Sequence, residues 1–250
     1  VPKQETNVIR ERTPRRDGNN RSHLVTRRLT LGAVASGIAT LASRNVFAQT
    51  AGCLLTPDSG EGPFYFDPKL VRVDVTEGAV GAPLDVAIQV TRAGDCSPFV
   101  GARLDLWQAD AVGLYSGYRE QTGVGGLSTE RTIGRTFLRG TQFVDADGWV
   151  RFKTIYPSWY GGRTPHLHFK VLQEDDELAA SQIFFPDEVN AEVFSQWDPY
   201  REHVDRRKVF NSTDRFLDMN TDGQIDGVFC EVENHAGDGF AAKAVVTVGL

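Results

Sequence analysis

Positive charge is scarce in this chain. Of its 250 residues, 27 are Lys or Arg against 33 Asp or Glu, a formal net charge of −6. The imbalance is sharper past residue 48, where eighteen basic residues face thirty acidic ones. A domain so acidic is expected to repel nucleic acid, so none is expected as a partner. No uncharged run approaches the ~20 residues that a helix needs to cross a bilayer. No motif returns at a fixed period, which excludes solenoids and propellers. Cysteine is limited to Cys53, Cys96 and Cys230, enough for one disulfide with one thiol left over. Helical periodicity is sparse, with Asp187 to Phe194 as the clearest instance.

What is present begins with a basic N-terminus. The first 48 residues hold nine Lys/Arg against three Asp/Glu. Within them Arg27-Arg28 opens an uncharged, mostly apolar run, 29–42, and Val46-Phe47-Ala48 before Gln49 reads as a small-x-small cleavage site. This pattern looks like a twin-arginine export signal. The chain is therefore expected to divide into 1–48, a disordered N-terminus and cleavable signal peptide, and 49–250, one folded domain. The export machinery becomes an expected partner, and the expected location is periplasmic or extracellular, where a disulfide is stable.

Beyond the signal, Leu84 to Arg92, Arg103 to Ala109, Phe137 to Val144, Trp149 to Tyr156, His166 to Leu172, Gln182 to Phe185 and Ala244 to Val248 alternate in polarity or are β-branched. Gly, Pro, Asn and Asp clusters separate them, and Asp145-Ala146-Asp147-Gly148 reads as a hairpin turn. The expected fold is all-β, a β-sandwich of two mixed or antiparallel sheets with few short helices.

Chemistry concentrates in Arg163-Thr164-Pro165-His166-Leu167-His168-Phe169, with Tyr160 just upstream and Tyr115 at the end of Ala111-Val112-Gly113-Leu114-Tyr115. In an extended strand alternate side chains share a face, so His166 and His168 can address one ion while Leu167 turns into the core. A phenol titrates near ~10 and ligates well as phenolate, which asks for a strongly Lewis-acidic, oxygen-loving cation. That chemistry favours Fe(III) over Zn(II).

These residues resemble the intradiol ring-cleavage dioxygenases, the non-haem Fe(III) family of catechol and protocatechuate dioxygenases. Trp107 to Tyr115 is similar to the family segment carrying the first tyrosine ligand, and Thr154 to Lys170 to the segment carrying the second tyrosine and both histidines. Glu61-Gly62-Pro63-Phe64-Tyr65 and Gln182-Ile183-Phe184-Phe185 match two further family segments, so the resemblance covers most of residues 53 to 200. Departures are Ser158 for glycine, Gly161 for proline and Leu167 for isoleucine; none removes a ligand.

The resemblance implies one non-haem ferric ion per chain, held by Tyr115, Tyr160, His166 and His168. Tyr160 would exchange as a base while the other three stay bound. It further implies a catecholic substrate and O2, with the ring opened between the hydroxylated carbons to a muconate-type diacid. Arg163 would stabilise the electron-rich substrate, unless it serves only a structural ion pair, and Gln182 would hydrogen-bond the oxygen species or substrate. Gly62, Pro63 and Tyr65 would line the pocket. Similarity to exported relatives pairs Cys53 with Cys96. The helical dimerisation region of cytoplasmic catechol dioxygenases has no counterpart, so the sequence leaves the oligomeric state open.

Two other classes compete. A non-catalytic transthyretin-like binding sandwich accounts for the Val100 to Leu106 strand and turn, and would need no iron. A zinc hydrolase could use the His pair, but it would want a carboxylate nearby, which the sequence does not place. Asp218 to Asp226 matches the first half of an EF-hand-like loop, yet its twelfth position is Phe229 instead of glutamate, so a polar turn is expected. His203 and His235 lie in polar segments and are expected at the surface.

Overall fold

In a computed structural model of the protein, residues 53–249 are described apart from 125, 129–131, 220–225 and 236. The expected export signal, and most of the Asp218 to Asp226 loop, lie outside the described residues.

Strand β1 (Pro83–Arg92) buries Leu84, Val86, Ile88 and Val90 on one face and leaves Asp85 on the other, the period-two pattern of a half-buried strand. It runs parallel to β10 (Phe240–Val248), with Val86 opposite Ala242, and antiparallel to β6 (Trp149–Ile155), with Val86 opposite Phe152. With β9 (Glu231–Asn234) at its edge, this mixed sheet has the order β6-β1-β10-β9. The second sheet is antiparallel throughout. Its order is β5-β2-β7-β8, from β2 (Arg103–Gln108), β5 (Arg139–Phe143), β7 (His166–Gln173) and β8 (Asp176–Phe184). Leu104, Leu106, Leu167, Phe169, Val171 and Ile183 from this sheet join the β1 residues in one core. Each such side chain, fully buried, contributes roughly 1.5–3 kcal/mol. The expected all-β sandwich is therefore observed, with a small hairpin of β3 (Gln121–Gly123) and β4 (Gly126–Ser128) beside it.

Several boundaries differ from expectation. β8 begins at Asp176 and β10 at Phe240, because flanking residues too polar or too small to signal a strand still complete the ladders. β3, β4 and β9 are three or four residues long, too short for a periodic signal. The Asp145 to Gly148 turn forms, with Gly148 N–H donating to Asp145 O at 3.0 Å. It is not a hairpin, since the strands on either side, β5 and β6, belong to opposite sheets. The expected helix is α1 (Asp187–Gln196), followed by a short α-helix, α2 (Arg215–Met219), and by 3-10 turns at Tyr200–Arg206, Asn211–Thr213 and Asp226–Val228. His235 is exposed, whereas His203 is half-buried.

β7 is buried on both faces over seven of its eight residues. The second cover is the segment that precedes β1, which crosses the outer face of the second sheet strand by strand. Ser59 N–H donates to Ala180 O of β8 at 2.9 Å. Glu61 ion-pairs with Lys170 of β7, and the Tyr65 hydroxyl donates to Asp105 of β2 at 2.8 Å. Arg72 N–H then donates to Thr141 O of β5 at 3.1 Å, and the segment passes on to the first sheet, where Val75 N–H donates to Lys153 O of β6 at 3.0 Å. Polar side chains of alternate β7 residues, which would otherwise face water, are sealed beneath this strap. Cys53 at its start is joined to Cys96, with Cα atoms 5.6 Å apart, while Cys230 is a buried free thiol.

Candidate metal centre

His166 and His168 emerge at the start of β7 on the strap side, and Leu167 between them is fully buried in the core. His166 Nδ1 lies 2.7 Å from Thr164 O. A carbonyl only accepts, so Nδ1 carries the ring proton and Nε2 is left as a lone pair. That Nε2 sits 3.1 Å from His168 Nε2. Burial pulls both imidazoles well below their usual pKa, and the Arg163 cation adds to the effect, so both are neutral at neutral pH. Trp107, opposite His168 in the β2–β7 register, stacks on that ring at 5.0 Å with an interplanar angle of 10°.

Tyr115 arrives on a turn after β2. Asp110 Oδ1 accepts N–H groups from Val112 at 2.9 Å and Leu114 at 2.8 Å. The Tyr115 backbone is then held on both sides by Gln121, which accepts its N–H and donates to its carbonyl, each at 2.7 Å. Thr132 Oγ1 also donates to that carbonyl at 2.7 Å. The ring stacks on Phe64 at 4.4 Å, is fully buried, and ends in a hydroxyl with no hydrogen-bond partner among the described residues. Burial pushes its pKa well above 10. Alone, it would remain a protonated phenol.

Tyr160 is half-buried, on a turn in which Gly161 (φ 42°) and Gly162 (φ 84°) are left-handed and Arg163 N–H donates back to Tyr160 O at 2.7 Å. Its ring stands edge-on to Tyr115 at 5.2 Å, and its hydroxyl lies 3.5 Å from His166 Nε2. The two tyrosine loops touch at Gly113 (φ +81°), where a Cβ would come 2.6 Å from Trp159 O and 3.3 Å from Tyr160 Cβ.

Two phenol oxygens and two imidazole nitrogens are thus gathered in one buried place. Among the described residues no three His, Cys, Asp or Glu side chains cluster to hold a metal, and the side-chain donors found beside the two imidazoles are the two phenols. The residues fit one. Donors each about 2.1 Å from a common cation and at right angles would stand about 3.0 Å apart, close to the 3.1 Å found between the imidazole nitrogens. The orphaned Tyr115 hydroxyl is otherwise an unexplained cost.

Arg163 is buried, and its Nε donates to Asp214 Oδ2 at 2.9 Å. The structural ion pair weighed from sequence therefore exists, yet the same guanidinium also donates through Nη2 to Gln182 Oε1. Gln182, opposite His168 in the β7–β8 register, donates in turn to Ser59 Oγ at 3.1 Å. Gly62 lies against His168, since a Cβ there would be 3.2 Å from Cε1, and Pro63 is exposed at the rim. Tyr65 packs on Trp107 at 4.8 Å, with the Lys170 ammonium 3.8 Å from its ring centre. The ring of that segment that touches both tyrosines is Phe64. Sequence reasoning also missed Asp214 and Gln121: a lone acid in a polar loop and a lone amide carry no motif.

A family model described as Dioxygenase matches residues 60–193. Catechol 1,2-dioxygenase 1 of Acinetobacter lwoffii is 26% identical over 151 residues, 51% of this chain and 45% of that protein, so the chain spans less than half the length of this curated relative. An intradiol ring-cleavage dioxygenase from Tetranychus urticae superposes with a TM-score of 0.69 at 26% identity, covering 79% of this chain and 95% of that one. The dioxygenase domain of a carbohydrate-binding fusion protein from Streptomyces sp. SirexAA-E gives 0.54 at 28% identity, covering 78% and 99%.

Proposed function

Because this chain belongs to the intradiol ring-cleavage dioxygenase family, we propose that it opens catecholic rings between the two hydroxylated carbons with O2, using one non-haem ferric ion held by Tyr115, Tyr160, His166 and His168. The observation that carries this reading is the buried convergence of two phenols and two neutral imidazoles around a Tyr115 hydroxyl that, apart from the neighbouring Tyr160 phenol, has no partner among the described residues. A ferric ion there would supply Lewis acidity, lowering the phenol pKa values and drawing electron density from a chelated catecholate so that the ring reacts with O2.

The chain's residues divide the remaining work. Tyr160, the donor on a two-glycine turn, is the one able to swing away and take a proton from the incoming catechol at its Oη. Tyr115, clamped by Gln121 and Thr132, and the histidines on β7 stay fixed. Arg163 presents the positive charge of its planar guanidinium to an electron-rich ring; Asp214 fixes its direction. Gln182, oriented by Arg163 and Ser59, offers an amide to the same space. Phe64 and Trp107 wall the donors from water.

Catechol, the substrate named for the Acinetobacter relative, is the first compound to test here. The zinc-hydrolase alternative loses support because the buried carboxylate at hand, Asp214, is engaged by Arg163, Thr164 and Phe216. Export through the Arg27-Arg28 segment is part of the proposal, and the Cys53–Cys96 bond supports an oxidising destination.

The test is the purified protein's metal content and visible spectrum, with O2 uptake and product mass on catechol. About one iron per chain, a red to purple colour and a product heavier by both oxygen atoms are expected. Tyr160→Phe should keep iron, alter the colour and slow turnover. A colourless zinc protein, or unchanged activity in Tyr160→Phe, would overturn the reading.

A further inference from the structure

Arg139 is a buried cation with no counter-ion among the described residues. It is 1% exposed and sits on β5, in a lateral row that runs Arg139, Trp107, His168, Gln182 across all four strands of the second sheet. Members of one row point to the same face, so the guanidinium shares the face that carries the donor set. Its Nε donates to Ser116 Oγ and its Nη2 to Ser116 O, each at 2.8 Å, while Nη1 has no partner among the described residues. The guanidinium lies over the Phe66 ring at 4.2 Å and 5.7 Å from that of Tyr118. Each of these described groups that holds it is neutral. Burial pulls its pKa down to about 10, which still leaves it charged at neutral pH. An unpaired buried charge is costly, and a neutral amide could make the same contacts to Ser116. Ser116 directly follows Tyr115, the donor whose hydroxyl is orphaned.

We propose that Arg139 is a positioning residue of the metal centre, its guanidinium serving as the resident counter-charge to the anionic donor that Tyr115 becomes when it ligates. This rests on the ferric reading above. Arg163 lies beside His166, and Arg139 is reached through Ser116 next to Tyr115, so the phenolates and a dianionic substrate meet two fixed cations. The two Ser116 hydrogen bonds hold the Arg139 charge in place, next to the metal position but not in it.

The experiment compares the parent with Arg139→Gln, which keeps a donor toward Ser116 without the charge, and Arg139→Lys, which keeps the charge. Metal-free proteins are titrated calorimetrically with Ga(III), a redox-inert trivalent ion supplied as a weak chelate, and iron-loaded proteins are read by their visible charge-transfer band. Arg139→Gln should bind the trivalent ion at least about tenfold more weakly, while Arg139→Lys stays within about threefold of the parent. The band of Arg139→Gln should move to longer wavelength, because losing a positive charge beside the phenolate raises the level from which the electron is transferred. Metal-free Arg139→Gln should melt no lower than the metal-free parent, since an uncompensated charge has been removed. Unchanged affinity and an unmoved band in Arg139→Gln would overturn the inference. So would loss of affinity in both variants together with a lower metal-free Tm, which marks a structural clamp on Ser116. A parent that binds neither ion overturns the ferric reading itself, a result distinct from either.

Discussion

Asp214 accepts the Arg163 Nε–H and the Thr164 backbone N–H through one carboxylate oxygen, each at 2.9 Å. Its other oxygen accepts the Phe216 N–H, also at 2.9 Å. A residue 51 positions downstream of Arg163 therefore fixes the guanidinium and the backbone that leads into β7. The ion pair and the proposed role in the reaction are compatible uses of one side chain.

Breaking that pair separates them. Asp214→Ala strands a buried guanidinium and an unsatisfied N–H, and should cost about 3–5 kcal/mol in urea unfolding. Asp214→Asn retains an acceptor and should keep its iron, but lower kcat/KM for catechol roughly tenfold as Arg163 loses its anchor. An Asn variant with parental kcat/KM would show that the direction of Arg163 is irrelevant to turnover.

Contact between the two tyrosine loops rests on Gly113. Gly113→Ala combines a left-handed backbone with a Cβ 2.6 Å from Trp159 O, so the loops must part. Iron retention after dialysis against a chelator should fall, with stability lower by about 1–3 kcal/mol. Gly161→Ala meets no atom within 4 Å and should be the milder change, although its φ is also positive. Equal iron loss in both would point to backbone strain and away from loop separation.

The His-x-His alternation, the tyrosine spacing and the β-sandwich were legible in the sequence because period-two burial and a dense motif are local signals. The strap was not. Glu61, Tyr65 and Arg72 look like ordinary surface residues until Lys170, Asp105 and Thr141 are brought beneath them, and that requires the sheet. For the same reason the clamp of Gln121 on Tyr115 and the bare charge of Arg139 could not be read: what distinguishes them is which partners they have or lack after folding. Asp214 reaches Arg163 through α2's flank, a contact that no spacing rule anticipates.

Cysteine chemistry should follow burial. Peptide mapping without reductant should recover the Cys53–Cys96 crosslink, whose closed loop stabilises the fold by about 4 kcal/mol in the chain-entropy model. Cys230 is buried and its thiol is pushed up to about 12, so it should resist alkylation in native protein and react once urea unfolds the chain. Rapid native labelling of Cys230 would contradict that burial.

The histidine pair should make the metal-free protein sensitive to mild acid. Burial first, then Arg163 for His166, and His166 with Arg163 and Arg139 for His168, hold both rings neutral far below their usual titration. In the unfolded chain each takes a proton near ~6.5. Below that pH the unfolded state therefore binds more protons than the native one, and stability must fall as pH falls; above it both states are neutral and the effect vanishes. With two such groups the slope approaches about 2.7 kcal/mol per pH unit. Carboxylates held low, such as Asp67 at about 2, where Lys69 and Arg103 overcome the opposing effect of burial, contribute only in stronger acid. Unfolding free energies measured in urea from pH 7 to pH 5 should show this decline in the parent and about half of it in His168→Gln. A flat profile in the metal-free parent would mean that the imidazoles take up protons in the folded state, and the neutral donor pair assigned to the centre would fall with it.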